Sequence, residues 1–122
     1  MAEPHAFRRA AEAKDLDLLI ETLREDVELH SPILFRGFEG RDVVAQVLTH
    51  VATTLENLTY VDELHEGSSV ALRFTANVGD RELEGIDLLH HDGSGAIDRL
   101  TVMIRPLSAL QAVATAMREK LT

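Results

Sequence analysis

From Leu58 to Arg105 the chain reads as strand segments separated by turn residues, and from Val70 on they show the apolar–polar alternation of period two that strands satisfy and helices do not. The first segment, Leu58–Glu66, ends at Gly67. Val70, Leu72, Phe74 and Ala76 then alternate with Ala71, Arg73, Thr75 and Asn77 before the turn Val78-Gly79-Asp80. Glu82–His91 stops at Asp92-Gly93-Ser94-Gly95, the strongest turn signal in the chain. Ala96–Arg105 carries Leu100, Val102 and Ile104 on one face and ends at Pro106.

The flanking sequence has helical spacing instead. Two helices are expected over residues 4–13 and 16–24, the second with Asp15 as N-cap and Leu16, Leu19, Ile20 and Leu23 on one stripe. Asp26 opens a short strand, Val27–Ser31, stopped by Pro32. A turn with a small strand follows, around Gly37 and Gly40. Residues 42–55 read as a third helix on the stripe Val44, Val47, Leu48, Val51 and Leu55. A last helix carries Leu107, Leu110, Val113, Ala114, Met117 and Leu121, with Ser108 as a candidate cap. Helices followed by antiparallel strands indicate an α+β domain over residues 1–122, with one curved antiparallel sheet packed on helices. The other face of that sheet is left for solvent or a second subunit.

Composition narrows the function classes. Twelve Lys and Arg against 21 Asp and Glu give a net charge of −9, a poor match for nucleic acid or an anionic membrane. No apolar run approaches the ~20 residues of a bilayer span. No basic segment followed by an apolar stretch is visible near the N-terminus, so a cytoplasmic protein is expected. The chain has no Cys, which excludes disulfides, thiol nucleophiles and thiolate metal sites. No histidine pair has metal-ligand spacing, and no Gly-rich phosphate loop or Gly-x-Ser-x-Gly elbow occurs, so neither metal nor cofactor is expected.

Three segments carry a family resemblance. Asp-Val-Glu-Leu-His-Ser-Pro (26–32), Phe-Glu-Gly-Arg-Asp-Val-Val (38–44) and Gly-Ile-Asp-Leu-Leu-His-His-Asp-Gly-Ser-Gly-Ala-Ile (85–97) resemble, in order, motifs of the nuclear transport factor 2-like superfamily. That superfamily includes the SnoaL-like cyclases and the ketosteroid isomerases. The resemblance implies a cone: a bent sheet around the N-terminal helices, enclosing a pocket open at one end. Fold alone does not name a reaction.

Asp87 is the first candidate catalytic residue, an Asp in mid-strand among Ile86, Leu88 and Leu89, where its type is disfavoured. The resemblance places it where ketosteroid isomerases keep a protonated acid. Burial among apolar walls raises a carboxyl pKa and lets it donate a hydrogen bond. The same resemblance puts Ser31 at the isomerases' general base and Phe7 at their Tyr donor. Ser is no unassisted base and Phe has no donor, so steroid isomerisation by that mechanism is not expected. His30 and Ser31 are the other catalytic candidates. Phe7, Leu72, Phe74, Val102 and Ile104 are expected to contact a ligand. Three readings stay open: an isomerase or cyclase acting on a small apolar carbonyl or hydroxyl compound, a binding module without chemistry, and a homodimer joined through the convex sheet face.

Overall fold

A computed structural model describes residues 4–121. The first three residues and the Leu121 side chain, part of the leader and last-helix readings, lie outside the described residues. The elements are α1 (Ala6–Ala13), α2 (Leu16–Glu21), β1 (Leu23–His30), β2 (Phe38–Glu39), α3 (Arg41–Thr54), β3 (Glu56–Glu66), β4 (Ser69–Val78), β5 (Arg81–His91), β6 (Ile97–Arg105) and α4 (Leu107–Leu121). The chain is α+β, with a six-stranded sheet in the order β2-β1-β6-β5-β4-β3.

The sheet is mixed rather than wholly antiparallel. β3 to β6 form a meander, but β1 lies parallel to β6, with Leu29 opposite Leu100 and His30 opposite Thr101. The intervening α3 and meander carry the chain from β1 round to the far side of the sheet, so β6 returns along β1 in the same direction. The long connection is what a parallel pair needs.

β1 also starts earlier than its alternation suggests. Leu23 continues the helical stripe of α2 by spacing, yet the helix stops at Glu21 with Thr22 as C-cap, its hydroxyl donating to Leu19 O at 2.6 Å. Thr22 O then accepts from Ile97 N–H, and Leu23 pairs with Ile97 in the ladder. Asp15 caps α2 as its sequence implies, accepting from Leu18 N–H at 3.1 Å. At α4 the helix begins at Leu107, leaving Ser108 inside the first turn.

Period two decides what faces the helices. On β4 the buried residues are Val70, Leu72, Phe74 and Ala76; on β5 they are Leu83, Gly85, Asp87 and Leu89. These strands pair Leu72 with Asp87 and Phe74 with Gly85. Phe7 and Ala10 of α1 and Val44, Val47 and Leu48 of α3 close the core from the helical side. Gly85 is required by this packing: a Cβ there would run into the Phe74 ring and lie 2.5 Å from Met103 O.

β3 is the exception to alternation. It is the edge strand, and Tyr60 is its only buried residue. The ladder to β4 shifts register between Tyr60 and Asp62, and on its outer side, at the end of the sheet, β3 has no strand to take up the backbone groups of Tyr60. α1 takes them up. Glu12 Oε2 accepts from Tyr60 N–H at 2.9 Å, and Arg8 donates to Tyr60 O at 3.1 Å. Two side chains one helical turn apart thereby do for the edge strand what a neighbouring strand would do.

Candidate functional site

Between the sheet and the helices lies a cavity of about 360 Å³. Its walls are apolar: Phe7 and Ala10 from α1, Val47 and Val51 from α3, Phe74 from β4, Val102 and Ile104 from β6, and Val113 and Met117 from α4. Asp87 and Tyr60 supply the buried polar groups of the lining.

Asp87 reaches this cavity because it shares the parity of Leu83 and Leu89 on β5. It is 7% exposed, and Tyr60 donates its hydroxyl to Asp87 Oδ2 at 2.6 Å. Burial pushes the Asp87 carboxyl up from an ordinary 3.8 to about 7, with the Tyr60 hydrogen bond pulling the other way. The Tyr60 phenol is driven upward in turn, by burial first and then by the neighbouring carboxyl, so it acts only as a donor. No arginine reaches Asp87: Arg8 holds Glu63 and Tyr60 O, and Arg105 holds Glu84.

A carboxyl poised near neutrality has two uses. Protonated, it donates to a carbonyl or hydroxyl oxygen; ionised, it accepts a proton. The side chain of Tyr60 edges onto the Phe74 ring at a centroid distance of 5.8 Å, which fixes the phenol against the cavity wall.

The structure brings Phe7, Ser31, Phe74, Asp87, Val102 and Ile104 to this one cavity. Ser31 Oγ accepts from the backbone N–H of Leu34 at 3.2 Å, forming the turn that leads out of β1. His30 does not join them. Leu29 points into the core, so His30 points to the outer side. There its ring lies against Gly37, and its Nε2 stands 3.4 Å from Glu28 Oε2. It lines a separate open groove with Arg99 and Thr101. Leu72 pairs with Asp87 in the ladder but is fully buried in the core and does not line the cavity.

Tyr60 is the site residue that sequence reading did not single out. The chain's one Tyr is a signal in itself, because a buried phenol needs a hydrogen-bond partner. Its partner lies two strands away and 27 residues on, which no local pattern reveals.

A second polar cluster sits where α1 meets the end of β5. His5 Nδ1 accepts from Phe7 N–H at 3.0 Å and so caps α1. Neutral His5 therefore carries its hydrogen on Nε2, which faces His91 Nε2 at 2.8 Å. His91 then holds its hydrogen on Nδ1, 3.2 Å from Ser68 O. Glu63 Oε1 accepts from His5 N–H at 3.1 Å, and its other oxygen stands 2.7 Å from His65 Nε2. Glu63 is thus a structural anchor rather than part of a solvated acidic surface. Among the described residues no three His, Asp or Glu side chains group to hold a metal ion. No helix among the described residues is long and apolar enough to cross a membrane.

Comparison with known proteins places this geometry in context. The SnoaL-like domain family matches residues 5–106. A crystal structure from Pseudomonas aeruginosa, named a steroid delta-isomerase, is 37% identical with a TM-score of 0.90, covering 94% of this chain and 85% of that one. An uncharacterised cystatin-like-fold protein from Silicibacter pomeroyi is 30% identical at the same TM-score, over 94% of this chain and 82% of that one. An NTF2-like protein of unknown function from Cytophaga hutchinsonii shares the fold at 20% identity and a TM-score of 0.67, covering 86% and 88%. No curated protein matches the chain.

Proposed function

Since the chain belongs to the SnoaL-like domain family, with the NTF2-like fold, we propose that it binds a small, largely apolar molecule by a carbonyl or hydroxyl oxygen and moves a proton on it. The observation that carries this reading is the Tyr60–Asp87 pair at the wall of an otherwise apolar cavity. The oxygen of such a ligand takes the place that water cannot fill cheaply beside Asp87. Tyr60 holds one carboxyl oxygen, leaving the other for the ligand. The printed name of the 37% identical structure, a steroid delta-isomerase, supports an apolar ligand and an isomerising reaction.

Among the described residues Asp87 is the one carboxyl that lines the cavity, and Ser31 is no substitute for a second base. The chemistry this favours is single-residue proton transfer. With a pKa of about 7 both forms are present at neutral pH: the protonated form anchors the ligand's oxygen, and the ionised form takes a proton from the carbon next to a carbonyl and, as the acid so formed, returns it. A pure binding role keeps the first half of this scheme and drops the second.

The test uses 2-decalone as probe with the full chain in D2O. Binding should perturb the NMR signals of Tyr60 and Asp87, and the α-protons of the ketone should exchange for deuterium faster than in buffer. Asp87→Asn should bind the ketone and lose the catalysed exchange; Asp87→Leu should lose both. Binding to Asp87→Leu as tight as to the parent chain would refute the anchor. Binding without exchange would leave a binding module.

A further inference from the structure

The residues that both line the cavity and lie exposed mark its mouth, and they are Lys14, Ile33, Leu34 and Arg118. Two are apolar, from the turn after β1. Two are cationic, from the end of α1 and from α4. No acid stands among them, although acids outnumber Lys and Arg by 21 to 12 in the chain. From this we infer that the ligand of this cavity is an amphiphilic acid: an apolar body inside and an anionic group held at the cationic half of the mouth. The inference rests on the small-molecule reading above and names the chemical class that reading leaves open.

Lys14 sits at the C-terminal end of α3, and Arg118 follows on α4 the residue that reaches that end. Lys14 follows α1 in the left-handed conformation, with φ 57°. Its ammonium donates to Ala52 O and, at 2.8 Å, to Leu55 O. An ammonium has three N–H donors, so one is left for a ligand. The pairing with carbonyls also offsets the negative end of the α3 dipole, which would otherwise repel an anion there. Arg118 adjoins Met117, whose sulfur lies 3.7 Å from Thr54 Oγ1 in the last turn of α3. Arg118 is drawn into no ion pair with a described residue, and its planar fork suits a carboxylate.

The deep end of the cavity does not oppose this. Asp87 is largely protonated below about 7, so an acid entering at pH 6 meets no fixed negative charge inside. The net charge of −9 makes the choice of cations at the mouth matter more, because long-range attraction cannot supply it.

The experiment compares sodium octanoate with octan-1-ol, equal in chain length and different in charge, by NMR titration of the full chain at pH 6.5 and low salt. Octanoate should bind at least tenfold tighter, with the advantage shrinking as salt is added. Arg118→Glu should weaken octanoate tenfold or more and leave octan-1-ol within about twofold; Arg118→Lys should retain most of the preference. Equal binding of the two probes, or an octanoate affinity indifferent to Arg118→Glu, overturns the inference while the small-molecule reading stands. Failure of both probes where 2-decalone binds overturns it as well. Failure of all three removes the cavity reading itself.

Discussion

The Tyr60 hydroxyl meets Asp87 Oδ2 at 2.6 Å across the width of β4, so the edge strand and the centre of the sheet share one polar contact inside an apolar layer. Tyr60 is held to that contact from behind by Glu12 and Arg8, which grip its backbone. The helix that lines one wall of the cavity therefore also sets the partner of its buried carboxyl.

The hydrogen bond lowers the Asp87 pKa against the larger effect of burial. Tyr60→Phe should raise the Asp87 midpoint above about 7, by about 1–2 pH units for a hydrogen bond to a charged group. A carboxyl-carbon NMR titration reads this directly. A midpoint unmoved by the substitution would show that the contact does not tune the acid.

Asp87 also makes stability depend on pH with an unusual sign. Its folded pKa of about 7 lies above its ordinary 3.8, so the folded state holds the proton more tightly. That contribution is fully present below 3.8 and is lost as pH rises to about 7, by at most about 1.4 kcal/mol per pH unit. Asp87→Asn keeps an acceptor for Tyr60 and cannot ionise. Its stability relative to the parent should grow from pH 4 to pH 7 and then level, as followed by urea unfolding. A constant difference across that range would contradict the assignment.

At the His5–His91 contact the sign is reversed. Burial lowers the His5 pKa below 6.5, with the His91 ring acting the same way and Glu63 against it. His65 and Arg9 add to the lowering. A depressed histidine contributes stability that is full above 6.5 and lost as pH falls below it. Any added proton breaks either the cap on Phe7 or the contact to His91. His5→Asn, which retains a capping acceptor, should match the parent near pH 8 and lose less stability between pH 6.5 and pH 5. His5→Ala should be destabilised at both, by about 0.5–2 kcal/mol for the lost cap.

Gly85→Ala should cost about 1–3 kcal/mol, as an overpacked core does, because both the Phe74 ring and Met103 O stand in the way. Thermal unfolding measures it. Ligand affinity should fall as well, since the displaced Phe74 ring is cavity wall.

Two solution properties complete the expectations. The outer sheet face exposes Met103 at 57%, Leu88 at 40% and Ile86 at 38%, and a homodimer through it should sediment at about twice 13.5 kDa. A species of 13.5 kDa alone at micromolar concentration would oppose that. Turnover of a Δ5-3-ketosteroid should stay near background, because the family resemblance sets Ser31 and Phe7, neither of them a base or a phenol, at the isomerases' base and donor positions. Turnover at the level of a dedicated isomerase would mean that Asp87 alone suffices.

What was legible in the sequence was what depends on local period. Alternation on β4 and β5 put Asp87 beside Leu72 and gave it the parity of Leu89, whereas the pocket it faces was implied by the family resemblance and not by the alternation. Leu23 misled because its spacing from Leu16, Leu19 and Ile20 fits a helix that Thr22 in fact ends. The parallel pairing of β1 with β6 joins segments about 70 residues apart, as Glu28 opposite Arg99 shows, and turn chemistry says nothing about it. Tyr60 lies on a strand without alternation, so nothing marked its face. His5 and His91 are 86 positions apart and meet only because α1 folds over the end of β5.

The region shared with the SnoaL-like family ends at Pro106, yet α4 begins at Leu107 and sends Val113, Met117 and Arg118 to the cavity. In this chain the matched region carries the acid and its phenol, whereas part of the wall and half of the mouth's positive charge come from beyond it. Likeness across residues 5–106 therefore covers the acid, its phenol and most of the wall, but not the four lining residues that α4 adds. Two chains with the same Tyr–Asp pair and different tails would be expected to admit different molecules. Specificity in such a protein can be tuned from the cavity-facing positions of α4, within the limit that Ala109, Val113 and Met117 also belong to the core beneath the sheet.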